Sequence, residues 1–185
     1  AYPPQFNSAN LSIRSFVNRG PEKVIGSRDG LFYINEATGI VKSFVKPVLT
    51  SDLILTICFY EGEYYIGTYG GGMMVLNPQT LSLKYFTQGD TELFQKGHIF
   101  CVKPDNRGNL WIGTSQGLFC YNGQTKQIKN FTSTNSQLPE GNVYEVSFDS
   151  TGKGWIATET GMCIYDPASQ SLRSNVFPEG FVHKD

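Results

Sequence analysis

A strand-like block closed by a small hydroxyl residue occurs four times in this chain: Val24-Ile25-Gly26-Ser27, Tyr65-Ile66-Gly67-Thr68, Trp111-Ile112-Gly113-Thr114 and Trp155-Ile156-Ala157-Thr158. Their third residues are 41, 46 and 44 positions apart. A second block follows each, from Gly30 to Asn35, Gly72 to Asn77, Gly117 to Asn122 and Gly161 to Asp166. Eleven residues after each of these glycines stands an aliphatic, Val41, Leu83, Ile128 and Leu172. Fourteen after stand Phe44, Phe86 and Phe131, and then Asn175, the one departure. Agreement at several fixed offsets in four copies is the signature of a repeat architecture.

Before each block lies another strand-like run ending in a turn. Copy three turns through Asp105-Asn106-Arg107-Gly108-Asn109 and copy four through Asp149-Ser150-Thr151-Gly152-Lys153. Asp at the first position and Gly at the fourth suit a tight reversal, because Gly alone adopts positive φ without steric penalty. Copies one and two shorten this turn to Asn18-Arg19-Gly20 and Glu61-Gly62-Glu63. Each copy thus reads as four short strands, and no window carries an apolar stripe at the 3.6-residue period of a helix.

A four-stranded antiparallel unit cannot bury both faces of its own sheet. Stacking such sheets face to face around an axis does so, and that is a β-propeller. The expectation is therefore an all-β, propeller-type fold of about four blades, each of four antiparallel strands. The repeats run approximately over residues 10–46, 51–88, 97–133 and 141–177 of a single partial propeller domain.

Composition agrees. The chain holds 20 Gly, 13 Phe, 10 Tyr and 2 Trp in 185 residues, with 17% charged, as expected of many short strands and tight turns. The 15 Lys+Arg against 16 Asp+Glu leave no basic stripe for nucleic acid. No run approaches the ~20 apolar residues of a membrane span. No charged-then-apolar leader opens the sequence, so any signal peptide or anchor is expected outside these residues.

The four cysteines, Cys58, Cys101, Cys120 and Cys163, have no zinc-ligand spacing and read as small buried hydrophobes. Aligning the repeats sets Cys101 with Ile57, Cys58 with Val102, Cys163 with Phe119 and Cys120 with Ile164. Neighbouring copies then place their thiols on opposite sheet faces, and inter-blade disulfides are not expected.

Residues 105–122, from Asp105 to Asn122, resemble the two-component regulator propeller repeat, whose usual form is D-x-x-G-N-L-W-I-G-T-x-x-G-L-x-x-Y. Copy four follows it with Ala157 for the glycine; copies one and two are looser, with Val24 and Tyr65 in the Trp slot. The resemblance covers about residues 10–177. It implies an extracytoplasmic, periplasmic sensor region of a bacterial hybrid two-component receptor, whose parent carries a histidine kinase and a membrane helix in other parts. In that family two seven-bladed propellers are typical and many members respond to oligosaccharides. The chain then reads as a fragment of a larger, seven-bladed propeller; unless its four blades close into a ring, its end blades leave apolar faces that, in a homodimer, the exposed blade edges of a second copy would cover.

Ligand sites on propellers belong to the loops around the axis, where a rigid frame presents variable side chains. Two loop classes are expected on one face. The turn after the W-I-G-T block offers Arg28, Asp29, Tyr69, Gln116 and Glu159; the lead-in to each first strand offers Asp52, His98 and Asn142. Polar planar groups beside Tyr and His suit a carbohydrate. Trp111 and Trp155 share a slot with Val24 and Tyr65 and read as inter-blade packing. The column Ser27, Thr68, Thr114 and Thr158 reads as hydrogen-bonding within or between blades.

No G-x-S-x-G, H-E-x-x-H or nucleophile signature occurs, and no cofactor or metal is expected. The expectation is a non-enzymatic sensor module. Its rivals are a protein-interaction propeller without a small ligand and a streptogramin-lyase-like propeller enzyme, which would need His and Glu converging on the axis.

Overall fold

Among the described residues, sixteen short strands form four separate antiparallel sheets, each built from four strands consecutive in sequence. The computed structural model describes residues 12–89 and 91–174. Blade 1 holds β1 (Ile13–Arg19), β2 (Glu22–Ser27), β3 (Leu31–Asn35) and β4 (Ile40–Phe44). Blade 2 holds β5 (Ile54–Tyr60), β6 (Glu63–Thr68), β7 (Met73–Leu76) and β8 (Leu83–Tyr85). A short helix, α1 (Thr91–Lys96), precedes blade 3, which holds β9 (Ile99–Pro104), β10 (Asn109–Thr114), β11 (Gly117–Asn122) and β12 (Ile128–Phe131). Blade 4 holds β13 (Val143–Phe148), β14 (Gly154–Thr158), β15 (Met162–Asp166) and β16 (Ser171–Ser174).

The blades meet through their first strands: β1 packs on β5, β5 on β9 and β9 on β13. The fold is a β-propeller, with β1, β5, β9 and β13 innermost. Among the described residues β13 and β1 share no packing of that kind.

Three apolar layers lie between consecutive sheets. Val24, Tyr33 and Phe44 of blade 1 face Ile57, Tyr64 and Ile66 of blade 2. Cys58, Tyr65 and Phe86 of blade 2 face Val102, Ile112 and Phe119 of blade 3. Trp111, Leu118 and Phe131 of blade 3 face Val146, Ile156 and Cys163 of blade 4. Both faces of blades 2 and 3 are thus covered, which explains why their strands read as nearly continuous apolar runs.

The repeated residues are repeated for turn chemistry. Ser27 Oγ, Thr68 Oγ1, Thr114 Oγ1 and Thr158 Oγ1 each donate to the carbonyl of the glycine opening the next block, at 3.1, 2.9, 2.8 and 2.9 Å. The column therefore braces turns within a blade. Asn35, Asn77, Asn122 and Asp166 accept backbone N–H bonds two residues on, at 2.9–3.1 Å. The residue four after each, Gly39, Leu81, Lys126 and Gln170, has φ between 52° and 72°, so one Asx-type turn is used in every blade. Asp105 Oδ1 and Asp149 Oδ1 gather the N–H groups of their turns at 2.8–3.0 Å.

The glycine of the W-I-G-T block is required by the spacing of blades. A Cβ on Gly67 would lie 2.7 Å from Ile99 Cγ2, and one on Gly113 2.7 Å from the Val143 carbonyl oxygen. Ala157 fills the same slot in blade 4, where the position is exposed. The Trp slot behaves likewise: Trp111 is fully buried, stacked with Phe131 at 5.8 Å and tilted against Tyr165 of blade 4 at 4.5 Å, with its Nε1 donating to Asp105 Oδ2 at 2.9 Å. Trp155 is 42% exposed. The slot is an inter-blade position, filled where a following blade stands.

Two readings of the sequence need correction. Residues 91–96 form a helix, although no 3.6-residue stripe announces one. It is too short for a stripe, and its anchors are two adjacent residues, Leu93 and Phe94, buried between blades 2 and 3. Phe94 meets Phe86 at 5.0 Å and Phe119 at 5.4 Å. The alignment of Cys58 and Cys101 is also displaced, while that of Cys163 with Phe119 and of Cys120 with Ile164 holds. Cys101 pairs with Gly113 as Thr56 pairs with Gly67, so Cys101 occupies the Thr56 slot and Lys103 the Cys58 slot. The longer Asp105–Asn109 turn shifts the count by one. Opposite faces of neighbouring sheets are moreover the faces that meet, so Cys101, Cys120 and Cys163 share the layer between blades 3 and 4. All four thiols are free. The offset ending at Asn175 and the second histidine, His183, lie outside the described residues.

Candidate functional site: the axial face

The same backbone bond ties the two loop classes together in every blade. Arg28 N–H donates to Ser12 O, Tyr69 N–H to Leu53 O, Ser115 N–H to His98 O and Glu159 N–H to Asn142 O, at 2.9–3.2 Å. The turn after β2, β6, β10 and β14 therefore sits beside the lead-in to β1, β5, β9 and β13, on one face. Leu53, not Asp52, holds in blade 2 the position that His98 and Asn142 hold in blades 3 and 4. Asp52 instead joins blades 1 and 2: its carbonyl accepts from Gly30 N–H at 2.9 Å and its Oδ1 from Lys46 N–H at 2.8 Å.

Immediately inside that face each innermost strand bulges at the same position. The pairing skips from Ile13 to Ser15, Ile54 to Thr56, Ile99 to Cys101 and Val143 to Glu145. The extra residues are Arg14, Leu55, Phe100 and Tyr144. A bulge re-aims its side chain out of the strand's alternation, and here all four, with Ser12 and Ile13, line one open groove of about 540 Å3. Ser15 Oγ and Thr56 Oγ1, one residue further on, accept Ile57 N–H and Val102 N–H of the next blade at 2.9 and 3.3 Å. That lock holds the bulges in line around the axis.

Aromatic rings run across this face. Tyr69 lies against His98 with centroids 4.1 Å apart, and His98 is stacked with Phe100 at 6.2 Å. Phe100 meets Tyr144 edge to face at 5.2 Å. Asn142 Nδ2 donates to the Tyr144 hydroxyl at 3.1 Å, and Asn142 N–H donates to Glu159 Oε2 at 3.2 Å. Tyr69 and Tyr144 are each about half exposed, at 51% and 44%. His98 Nδ1 is buried and has no hydrogen-bond partner among the described residues. Such a surface offers apolar ring faces bordered by amide, hydroxyl and imidazole groups.

Of the residues expected at the site, Tyr69 and His98 are brought into contact, and Asn142 and Glu159 are joined to each other and to the aromatic run. Arg28 and Asp29 are exposed at the blade 1 corner; Asp29 N–H is held by Ser27 Oγ at 3.0 Å. Gln116 lies apart, lining a separate pocket of about 170 Å3 with Leu138, Pro139 and Glu140. Arg14, Leu55, Phe100 and Tyr144 were not among the expected residues. Their signal is an additional residue inserted next to the first apolar residue of each inner strand, as in Ile54-Leu55, Ile99-Phe100 and Val143-Tyr144, which breaks strict alternation.

Comparisons with known proteins give a consistent frame. Residues 94–116 match the family described as two component regulator propeller. No curated protein matches the chain. Among solved structures, the chain is similar to the extracellular domain of a hybrid two component system of B. thetaiotaomicron, with 25% identity and TM-score 0.74 over 88% of this chain and 22% of that one. A second such domain from the same organism gives 21% identity and TM-score 0.72, again over 88% and 22%. The computationally designed Ika4 protein shares the fold at 13% identity and TM-score 0.63, over 86% of this chain and 93% of its own. The chain spans about a fifth of the length of the two extracellular domains.

Proposed function

We propose, for a chain that carries a two component regulator propeller repeat, that it serves in the extracytoplasmic, periplasmic sensor region of a hybrid two-component receptor and takes an oligosaccharide on its axial face. The likeness to extracellular domains of such systems supports the cellular side and the signalling role. The single observation that carries the ligand is the continuous aromatic run Tyr69–His98–Phe100–Tyr144, whose Phe100 and Tyr144 line the groove. Sugars present hydroxyls at their rims and C–H faces to aromatic rings, and this surface offers complements to both. Because all four blades contribute to the groove lining, through Arg14, Leu55, Phe100 and Tyr144, an occupant touching several of them would favour one relative arrangement of the blades. Differential affinity for two arrangements is what a receptor needs to pass a signal to kinase parts.

The test is calorimetric titration of the chain with a broad panel of neutral and acidic oligosaccharides. Saturable binding to some members, lost in Phe100→Ala, is the expected result. No saturable binding across the panel would overturn the ligand reading. A second reading, an interaction propeller that associates through its end blades, draws on Trp155 and Phe16, which are 42% and 55% exposed. It predicts a concentration-dependent dimer by light scattering that Trp155→Glu abolishes.

A further inference from the structure

The groove is not electrically neutral. Of the six side chains that line it, Ser12, Ile13, Arg14, Leu55, Phe100 and Tyr144, Arg14 alone is charged. Arg14 is exposed, and no ion pair or hydrogen bond engages its guanidinium among the described residues. Other arginines are engaged: Arg19 binds Glu22 at 3.2 Å and covers the Phe59 ring, and Arg107 donates to Pro167 O at 3.4 Å. Arg28 neighbours the groove at its main chain, its N–H bonded to Ser12 O, but is not part of the lining. Asp29 is exposed there too but lines none of the groove.

From this we infer that the axial groove selects an acidic sugar, a uronate whose carboxylate pairs with Arg14 while its ring lies on Phe100 and Tyr144. The inference rests on the oligosaccharide reading and sharpens it. The bulge in β1 is what brings Arg14 to the axis: without the extra residue, strand alternation would set it elsewhere. The guanidinium is a planar fork that binds carboxylate through two N–H groups, and it is weakly enough hydrated to do so at a half-open site. Leu55, Phe100 and Tyr144 supply no competing anion; the Glu159 carboxylate, which accepts Asn142 N–H at 3.2 Å, is outside the groove lining, and the Tyr144 hydroxyl, already accepting from Asn142 Nδ2, can donate to a ring or carboxylate oxygen.

The experiment compares oligogalacturonides, alginate oligosaccharides and glucuronoxylo-oligosaccharides with their carboxyl-reduced counterparts, which keep the rings and lose the charge, alongside the neutral panel. The expected result is that the acidic form of at least one pair binds roughly tenfold or more tightly than its reduced form, as a charge-assisted pair warrants. That preference should shrink between 50 mM and 500 mM NaCl, where the screening length falls severalfold. Arg14→Gln should erase the preference and leave the melting temperature unchanged, whereas Phe100→Ala should weaken acidic and reduced forms alike. Equal binding of acidic and reduced forms, or binding of neutral sugars only, would overturn the acidic specificity and leave the oligosaccharide reading standing. Absence of binding by every member would overturn both.

Discussion

The rings of Phe100 and Tyr144 meet edge to face at 5.2 Å across the boundary between blades 3 and 4. Each is the bulged residue of its strand, so the contact joins two positions that the sheets have released from pairing. Phe100 is half-buried and outside the main apolar layers, so Phe100→Ala should destabilise by only about 1–2 kcal/mol. Ligand affinity should fall by roughly tenfold, the equivalent of one stacked ring at 1.4 kcal/mol per decade. Urea denaturation beside calorimetry separates the two effects, and a stability loss as large as that of a core truncation would show that the run is structural.

Gly113 and Ala157 occupy one repeat position with different neighbours. A methyl on Gly113 meets Cys101 Sγ at 2.5 Å and backbone of β13 at 2.7 Å. Backbone cannot rotate away, so Gly113→Ala should part blades 3 and 4 and destabilise by roughly 1–3 kcal/mol. Ala157→Gly, at an exposed site, should change stability by roughly 1 kcal/mol or less. Chemical denaturation of the two variants checks this; a Gly113→Ala protein as stable as the parent would mean the close approach of the blades is not what demands glycine.

The two tryptophans predict a spectroscopic contrast. Trp111, fully buried and bonded to Asp105, should emit at short wavelength and resist acrylamide, whereas Trp155, 42% exposed, should emit to the red and quench readily. Trp111→Ala should destabilise by roughly 3–5 kcal/mol, as large core truncations do, and Trp155→Ala by about 1 kcal/mol. Single-tryptophan variants measured by quenching decide it: shielding of Trp155 in a monomer would contradict the open slot.

What could be read from the sequence divides along physical lines. The blades were legible because turn chemistry repeats: the Ser27/Thr68/Thr114/Thr158 hydroxyls and the Asn35/Asn77/Asn122/Asp166 turns recur at fixed offsets, and each serves its own blade locally. Helix α1 was not legible, because two adjacent anchors, Leu93 and Phe94, leave no periodicity. At the candidate site, the shared face of Tyr69, His98, Asn142 and Glu159 was legible because loops flanking a repeat can be counted. The bulge residues Arg14, Leu55, Phe100 and Tyr144 were missed because a pattern of alternating faces assigns them to a sheet, and only pairing across β1–β2 and its equivalents reveals the extra residue. The Cys58 and Cys101 slots went astray for a related reason: a turn one residue longer moves a register by one, and one is enough to exchange faces.

Alkaline pH should unfold the protein through its buried thiols. Burial raises Cys101 and Cys120 from an ordinary 9.0 to about 12, and Cys58 and Cys163 to about 11. Burial likewise lifts Tyr60 from 10.0 to about 12, even though its hydroxyl accepts Gly123 N–H at 2.9 Å. In each case the folded chain holds its proton to higher pH than the unfolded chain. The stabilisation is therefore complete below pH 9 and is lost as pH rises from about 9 toward 12, where the unfolded state binds fewer protons. One such group lowers stability by about 1.4 kcal/mol per pH unit in that window. The expected outcome is a melting temperature that these groups leave level from pH 7 to pH 9 and then lower progressively. Thiols should resist a disulfide reagent at pH 8 until urea is added. Rapid modification of the folded chain at pH 8 would show that the layer between blades 3 and 4, where Cys101, Cys120 and Cys163 lie, opens to solvent without unfolding.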